Sequence, residues 1–143
     1  MDTQLIERLR RAAERNFPEH GVLVAYAHGS RTFGTPRPDS DLDVGYYLYG
    51  YREGEQLAIK TEMLLADRLS REVGVDVDLR NLGPAPLEAR GRVLENGVRV
   101  FSGDDVERVA LERELLSRYH DRKAEFQELR RLRLRHHAED GLL

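Results

Sequence analysis

Gly29-Ser30, then ten residues, then Asp41-Leu42-Asp43 are the positions of this chain whose types and spacing bear on chemistry. Glycine lets a backbone approach a ligand closely. Ser30 adds a hydroxyl donor, and successive N–H groups in a turn that leaves a strand suit phosphate. Asp41 and Asp43 are separated by one residue, so on a strand their carboxylates stand on one face. Adjacent carboxylates repel unless a cation lies between them. Mg²⁺ fits that position, because it takes carboxylate oxygens together with substrate phosphates. One short connection joins the loop to the carboxylates, so both can face a metal-bound triphosphate. A third carboxylate from residues 75–79 would complete a two-metal site, with the metals about 3.5–4 Å apart. Asp76 and Asp78 share a face there, and periodicity alone allows either.

The surrounding sequence supplies elements to hold these groups. Leu5, Ile6, Leu9, Ala12 and Ala13 recur at helical spacing over residues 2–17, and Pro18 and Gly21 end that helix. Val22-Leu23-Val24-Ala25-Tyr26-Ala27 is an unbroken apolar run that reads as a buried strand. Residues 28–40 hold two glycines and two prolines and form a loop. Residues 41–49 read as a second strand, 50–54 as a turn, and 55–73 as a helix stopped by Gly74. A third strand is expected over 75–79, a short helix over 87–95, and an extended piece over 98–101. From about 104 to 140 the chain reads as one long helix, with Leu115, Tyr119, Phe126 and Leu129 as its apolar stripe. Alternating strands and helices predict an α/β (α+β) domain with one small mixed sheet flanked by helices.

Bulk properties narrow the function classes. The chain has 143 residues, 40% hydrophobic and 34% charged, as expected for a single domain spanning 1–143. A formal net charge of −3 gives no global attraction to nucleic acid or anionic lipid, so neither nucleic-acid nor membrane binding is expected. An anionic ligand must be held by local groups or metal. The absence of cysteine rules out disulfides and thiolate metal sites. The five histidines lack the spacing of a zinc site. The charged N-terminal stretch predicts no secretory signal, no stretch predicts a membrane span, and the expected location is the cytoplasm.

Gly29-Ser30-x10-Asp41-x-Asp43 resembles the active-site signature of the DNA polymerase β nucleotidyltransferase superfamily. Gly29-Ser30-Arg31-x-x-Gly34 with Ser40-Asp41-Leu42-Asp43-Val44 is most similar to its minimal nucleotidyltransferase (MNT) branch. Val77-Asp78-Leu79, Pro84-Ala85-Pro86 and Glu95-Asn96-Gly97 follow that branch's order, and Leu111-Glu112 through Tyr119-His120-Asp121 resembles its tail. Phe33 departs from it, standing where a small residue is common. The resemblance implies a polymerase β-like fold and a Mg²⁺-dependent nucleotidyltransferase. It implies that Gly29 and Ser30 hold the β- and γ-phosphates, and that Asp41 and Asp43 bind two Mg²⁺ ions. Asp78, favoured over Asp76 by alignment on Pro84-Ala85-Pro86, would bind the metal nearer the acceptor and assist loss of its proton.

Short MNT proteins of this kind resemble the antitoxins of HEPN–MNT toxin–antitoxin pairs. For this chain the likeness implies AMP transfer from ATP to a tyrosine of a HEPN RNase toxin (AMPylation), with a hetero-oligomer of the two as a further expectation. Two other readings stay open: the same chemistry on a small molecule, as in aminoglycoside nucleotidyltransferases, or an antitoxin that only covers its toxin. Several residues have two readings each. Arg31 could reach a phosphate or be a surface charge. His28 could orient a group at the loop or be structural. The basic run of Arg130, Arg131, Arg133 and Arg135 with His136-His137 could bind an acidic partner or be a solvated helix face. Tyr46, Tyr47, Tyr49 and Tyr51 could stack on a base or pack the strand.

Overall fold

Asp2 starts the first helix. Its carboxylate accepts from the Leu5 N–H at 3.0 Å, satisfying one of the donors that a helix N-terminus leaves unpaired, worth about 1 kcal/mol. This helix is α1 (Thr3–Asn16), and its expected apolar positions are all buried. A computed structural model of the chain describes residues 2–29 and 41–139, with side chains as far as residue 136. After α1 the order is β1 (Val22–His28), β2 (Leu42–Leu48), α2 (Ile59–Val73), β3 (Val77–Asn81), α3 (Leu87–Asn96), β4 (Val98–Ser102) and α4 (Asp105–Glu139).

The four strands form one sheet in the order β3-β2-β1-β4. β1 is antiparallel to β2 and β4, whereas β2 and β3 are parallel. That parallel pair requires a crossover, and α2 supplies it. The sheet is therefore mixed, as the sequence predicts.

Strand alternation gives the sheet two faces. Val22, Ala25, Ala27, Leu42, Val44, Tyr46, Leu48, Val77 and Leu79 lie in one core with α1 and α2. Leu23, Val24, Tyr26 and Tyr47 join Leu82, Leu111 and Leu115 in a second core under α3 and α4. A strand covered on both faces reads as continuous apolar sequence, which accounts for the run at 22–27. Gly91 of α3 lies so close to α4 that a Cβ there would come within 2.2 Å of the Tyr119 ring.

Three expectations need correction. The α2 helix starts at Ile59 rather than at residue 55, because Leu57 packs into the core ahead of the helix and Ala58 is the first cap. β3 runs over Val77–Asn81, not 75–79, because pairing with β2 begins at Leu42↔Val77. Val75 packs against the core from outside the strand. In α4 the buried positions are Leu111, Leu115, Tyr119 and Phe126, whereas Leu129 is 47% exposed. Among the described residues, no helix is long and apolar enough to cross a membrane.

Candidate active site

Alternation along β2 puts Leu42 and Val44 in the α1/α2 core and so turns Asp43 to the opposite face. The same logic on β3 buries Val77 and Leu79 and turns Asp78 to the α3/α4 side. On β1, Tyr26 faces α4, and His28, two residues on, shares its side. Register then aligns the three. His28 pairs with Asp43 across the antiparallel ladder, and Asp43 pairs with Asp78 across the parallel one. Neighbouring strands lie about 4.8 Å apart. An imidazole and two carboxylates thus stand in a row across the end of the sheet.

The charges in this row strain against one another. Burial raises the proton affinity of the Asp43 carboxyl, and the carboxylates of Asp78 and Asp41 raise it further, while His28 and Arg80 oppose them. Burial also lowers the pKa of His28 below its usual value, against the pull of Asp43 and Asp78. Arg80 donates from Nε to Asp78 Oδ2 at 3.1 Å. Its side chain is 74% exposed and that of Asp78 32%, so solvent screens this pair and it adds little stability. A half-buried carboxylate pair with all-oxygen donors fits a hard divalent cation, which would supply the missing positive charge.

Gly29 closes the row beside β1. It takes φ +84°, and a Cβ there would lie 2.2 Å from Asp43 Oδ2. Both conformation and space require glycine. Ser30 and Arg31 lie outside the described residues, as does Phe33. Asp41 is exposed and immediately precedes β2, near enough for its charge to act on Asp43. Asp76 is also exposed and precedes β3; its backbone carbonyl accepts from the Leu42 N–H at 2.7 Å. So Asp43 and Asp78 are brought together, with Asp41 at their margin. Among the described residues no group of three or more potential ligands is gathered closely enough to hold a metal as it stands.

Two cavities flank the row. One, about 300 Å³, is lined by His28, Gly29, Ala89, Arg92, Val93 and Asn96. The other, about 440 Å³, opens at Asp78 and is walled by Leu57, Ile59, Arg80, Asn81 and Pro84 among others. The sequence reading missed Arg92 and Asn96. They are four residues apart and so share a face of α3, but which face meets β1 is a tertiary fact.

Tyr46, Tyr47 and Tyr51 resolve toward packing, whereas Tyr49 is 43% exposed. Tyr46 and Tyr47 are fully buried, on opposite faces, and Tyr51 meets the Tyr47 ring edge-on at 5.4 Å. Tyr46 donates to Glu62, and Arg90 lies over the Tyr47 ring at 5.5 Å. In the basic run, Arg130 pairs with Glu88 of α3 and Arg131 with Glu128 of its own helix.

The fold has close counterparts among solved structures. A toxin–antitoxin structure with AMP-PNP superposes with a TM-score of 0.63 at 22% identity, covering 87% of this chain and 94% of that one. A tri-AMPylated HEPN toxin from Shewanella oneidensis in complex with an MNT antitoxin gives 0.60 at 19% identity, covering 90% and 95%. At these identities the likeness is one of fold. No curated protein matches the chain. The family model for polymerase beta nucleotidyltransferases matches residues 8–106. With that match spanning most of the chain, and a polymerase β-like fold beneath it, this protein belongs to the polymerase β nucleotidyltransferase family.

Proposed function

We propose that this protein transfers AMP from Mg²⁺-bound ATP to a tyrosine hydroxyl of a HEPN RNase partner and so acts as its antitoxin. The observation that carries this reading is the Asp43↔Asp78 register on one sheet face, with a separate cavity on each side. Transfer between two substrates needs such a division: a donor site, an acceptor site, and carboxylates between them. The AMPylated HEPN toxin bound to a fold counterpart supports the choice of acceptor.

In this mechanism Asp41, Asp43 and Asp78 would hold two Mg²⁺ ions. When bound, Mg²⁺ neutralises charge on the phosphates and on the attacking and leaving oxygens. Gly29, with Ser30 and Arg31, holds the β- and γ-phosphates at the β1 side. Asp78 faces the acceptor cavity and takes the phenolic proton. The phenolic oxygen bonds to the α-phosphorus, the bond from that phosphorus to the bridging oxygen breaks, and pyrophosphate leaves with the electron pair. Burial lowers the proton affinity of His28 and so weakens its positive charge beside the carboxylates. Positioning and charge stabilisation account for the rate.

The test is incubation of the protein with α-labelled ATP, Mg²⁺ and a co-expressed HEPN partner, with Asp43→Asn and Asp78→Asn as controls. The expected result is a labelled partner band that both variants lose. A band that persists in both would overturn the assigned roles. Label on small molecules alone would replace the protein acceptor with a small one.

A further inference from the structure

The donor cavity holds a cation, Arg92, that has no counter-ion among the described residues. Arg92 lines it from α3, beside Gly29 and His28. At helical spacing its acidic neighbours are Glu88 and Glu95, four residues before and three after, which would ordinarily pair with it. Both are engaged elsewhere: Glu88 with Arg130 and Glu95 with Lys123 at 2.7 Å. Arg90, two residues earlier, is held by Tyr47. Arg92 makes no ion pair or hydrogen bond among the described residues, and its side chain is exposed to the cavity mouth.

The position of α3 makes this charge consequential. The helix meets β1 with its C-terminal turn, because Gly97 sits against the Ala27 carbonyl. Helix C-termini carry partial negative charge, which disfavours anions, and the last turn of α3 has no basic residue. The row of carboxylates adds to that field. Beside the Mg²⁺ and Arg31 of the reading above, a phosphate chain next to Gly29 therefore gains from a further positive group outside the sheet, and the chain's net charge of −3 supplies no general attraction.

We propose that Arg92, with the Asn96 amide one turn later, binds the terminal phosphates of the nucleoside triphosphate in the cavity between α3 and the end of β1. This rests on the nucleotidyltransferase reading above and adds binding residues to it. The guanidinium fork suits two phosphate oxygens at once, which a lysine ammonium matches only as a point charge.

The test is calorimetric titration of the full chain with Mg²⁺·AMP-PNP and, separately, with AMP. Arg92→Ala is expected to weaken AMP-PNP binding by about tenfold or more, the usual worth of a charge-assisted contact, and to leave AMP binding within about twofold. Arg92→Lys should recover part of the loss. In turnover, KM for ATP should rise while KM for the acceptor stays. Arg92 is exposed, so the fold should survive, and circular dichroism checks this. Unchanged AMP-PNP binding in Arg92→Ala, or an equal loss for AMP, overturns this proposal alone. No AMP-PNP binding by the wild-type chain overturns it together with the function proposed above.

Discussion

A Cβ placed on Gly29 would lie 2.2 Å from Oδ2 of Asp43, so the first residue of the loop and the central carboxylate of the row occupy adjoining space with no room between them. Gly29→Ala must move the carboxylate, and it must also hold alanine at φ +84°, which costs about 1–2 kcal/mol. Displacing a reacting constellation by an ångström costs roughly 10²-fold in rate. The variant is expected to fold, to melt a few degrees lower, and to lose AMP transfer by about that factor. Single-turnover transfer assays beside thermal melts check the split; full activity in a folded variant would remove Gly29 from the site.

Asp43 lies half-buried beside Asp78, where burial and the neighbouring charge both oppose its ionised form. Removing one charge without changing shape relieves that repulsion. In chelator, Asp43→Asn should therefore melt at or above the wild-type temperature. Mg²⁺ should reverse the ranking, because a ligand that binds only the folded state stabilises it. At a hundredfold excess over its Kd the metal adds about 2.7 kcal/mol, or roughly 6–10 °C at this chain length. Melting curves with and without Mg²⁺ read this directly. An equal Mg²⁺ shift in Asp43→Asn would move the metal away from this carboxylate.

Much of this site was legible because strand alternation is local. The apolar run at 22–27 forces a buried β1, and the spacing of Asp43 to Val44 and of Asp78 to Leu79 sets which face each carboxylate takes. What could not be read is register between strands. Asp76 and Asp78 are equivalent by periodicity; the family resemblance favours Asp78, and the pairing of Leu42 with Val77 is what sets it opposite Asp43. Helix faces fail for the same reason. The start of α2 depends on Leu57 entering the core, and Leu129 is left exposed because the last part of α4 runs beyond the buried positions that end at Phe126. Arg92 looks like any surface arginine until α3 is laid beside β1.

Tyr26, two residues before His28 on the same side of β1, gives a pH prediction. Its hydroxyl donates to Glu112 Oε2 at 2.7 Å, and burial followed by that carboxylate raises its pKa well above the usual value. Tyr46, donating to Glu62 on the other face, shifts the same way. For a group whose folded pKa is raised, the stabilisation is complete below the unfolded pKa and declines as pH rises through the folded one. The unfolded tyrosine ionises near pH 10, so above about that pH the folded chain binds more protons than the unfolded one and stability falls. Tyr26→Phe should lower stability at pH 7 by about 1 kcal/mol, the worth of one hydrogen bond. It should also reduce the decline between about pH 10 and 11.5 by up to one proton's slope. Urea titrations at a series of pH values check both; an unchanged slope would mean that the phenol ionises within the fold.

Gly91 and Tyr119 fix how α3 lies on α4. An exposed helical glycine gains about 1 kcal/mol on replacement by alanine. Here the added methyl would meet the Tyr119 ring at 2.2 Å, and Tyr119 is itself fully buried and stacked on Phe126. Overpacking of this kind costs about 1–3 kcal/mol, so the sign reverses and Gly91→Ala should destabilise the chain. Tyr119→Leu creates its own defect but removes the ring that the methyl strikes. The double variant should therefore be more stable than the sum of the single changes predicts, by about 1 kcal/mol or more, as directly touching residues show in a mutant cycle. Because Arg92 follows Gly91 on the same helix, a shift of α3 also moves the guanidinium relative to Gly29. Gly91→Ala should thus raise KM for ATP even under conditions where the chain is fully folded, and Tyr119→Leu in the same chain should restore part of it. Additive stabilities together with an unchanged KM would show that α4 yields to the methyl and that α3 keeps its place beside β1.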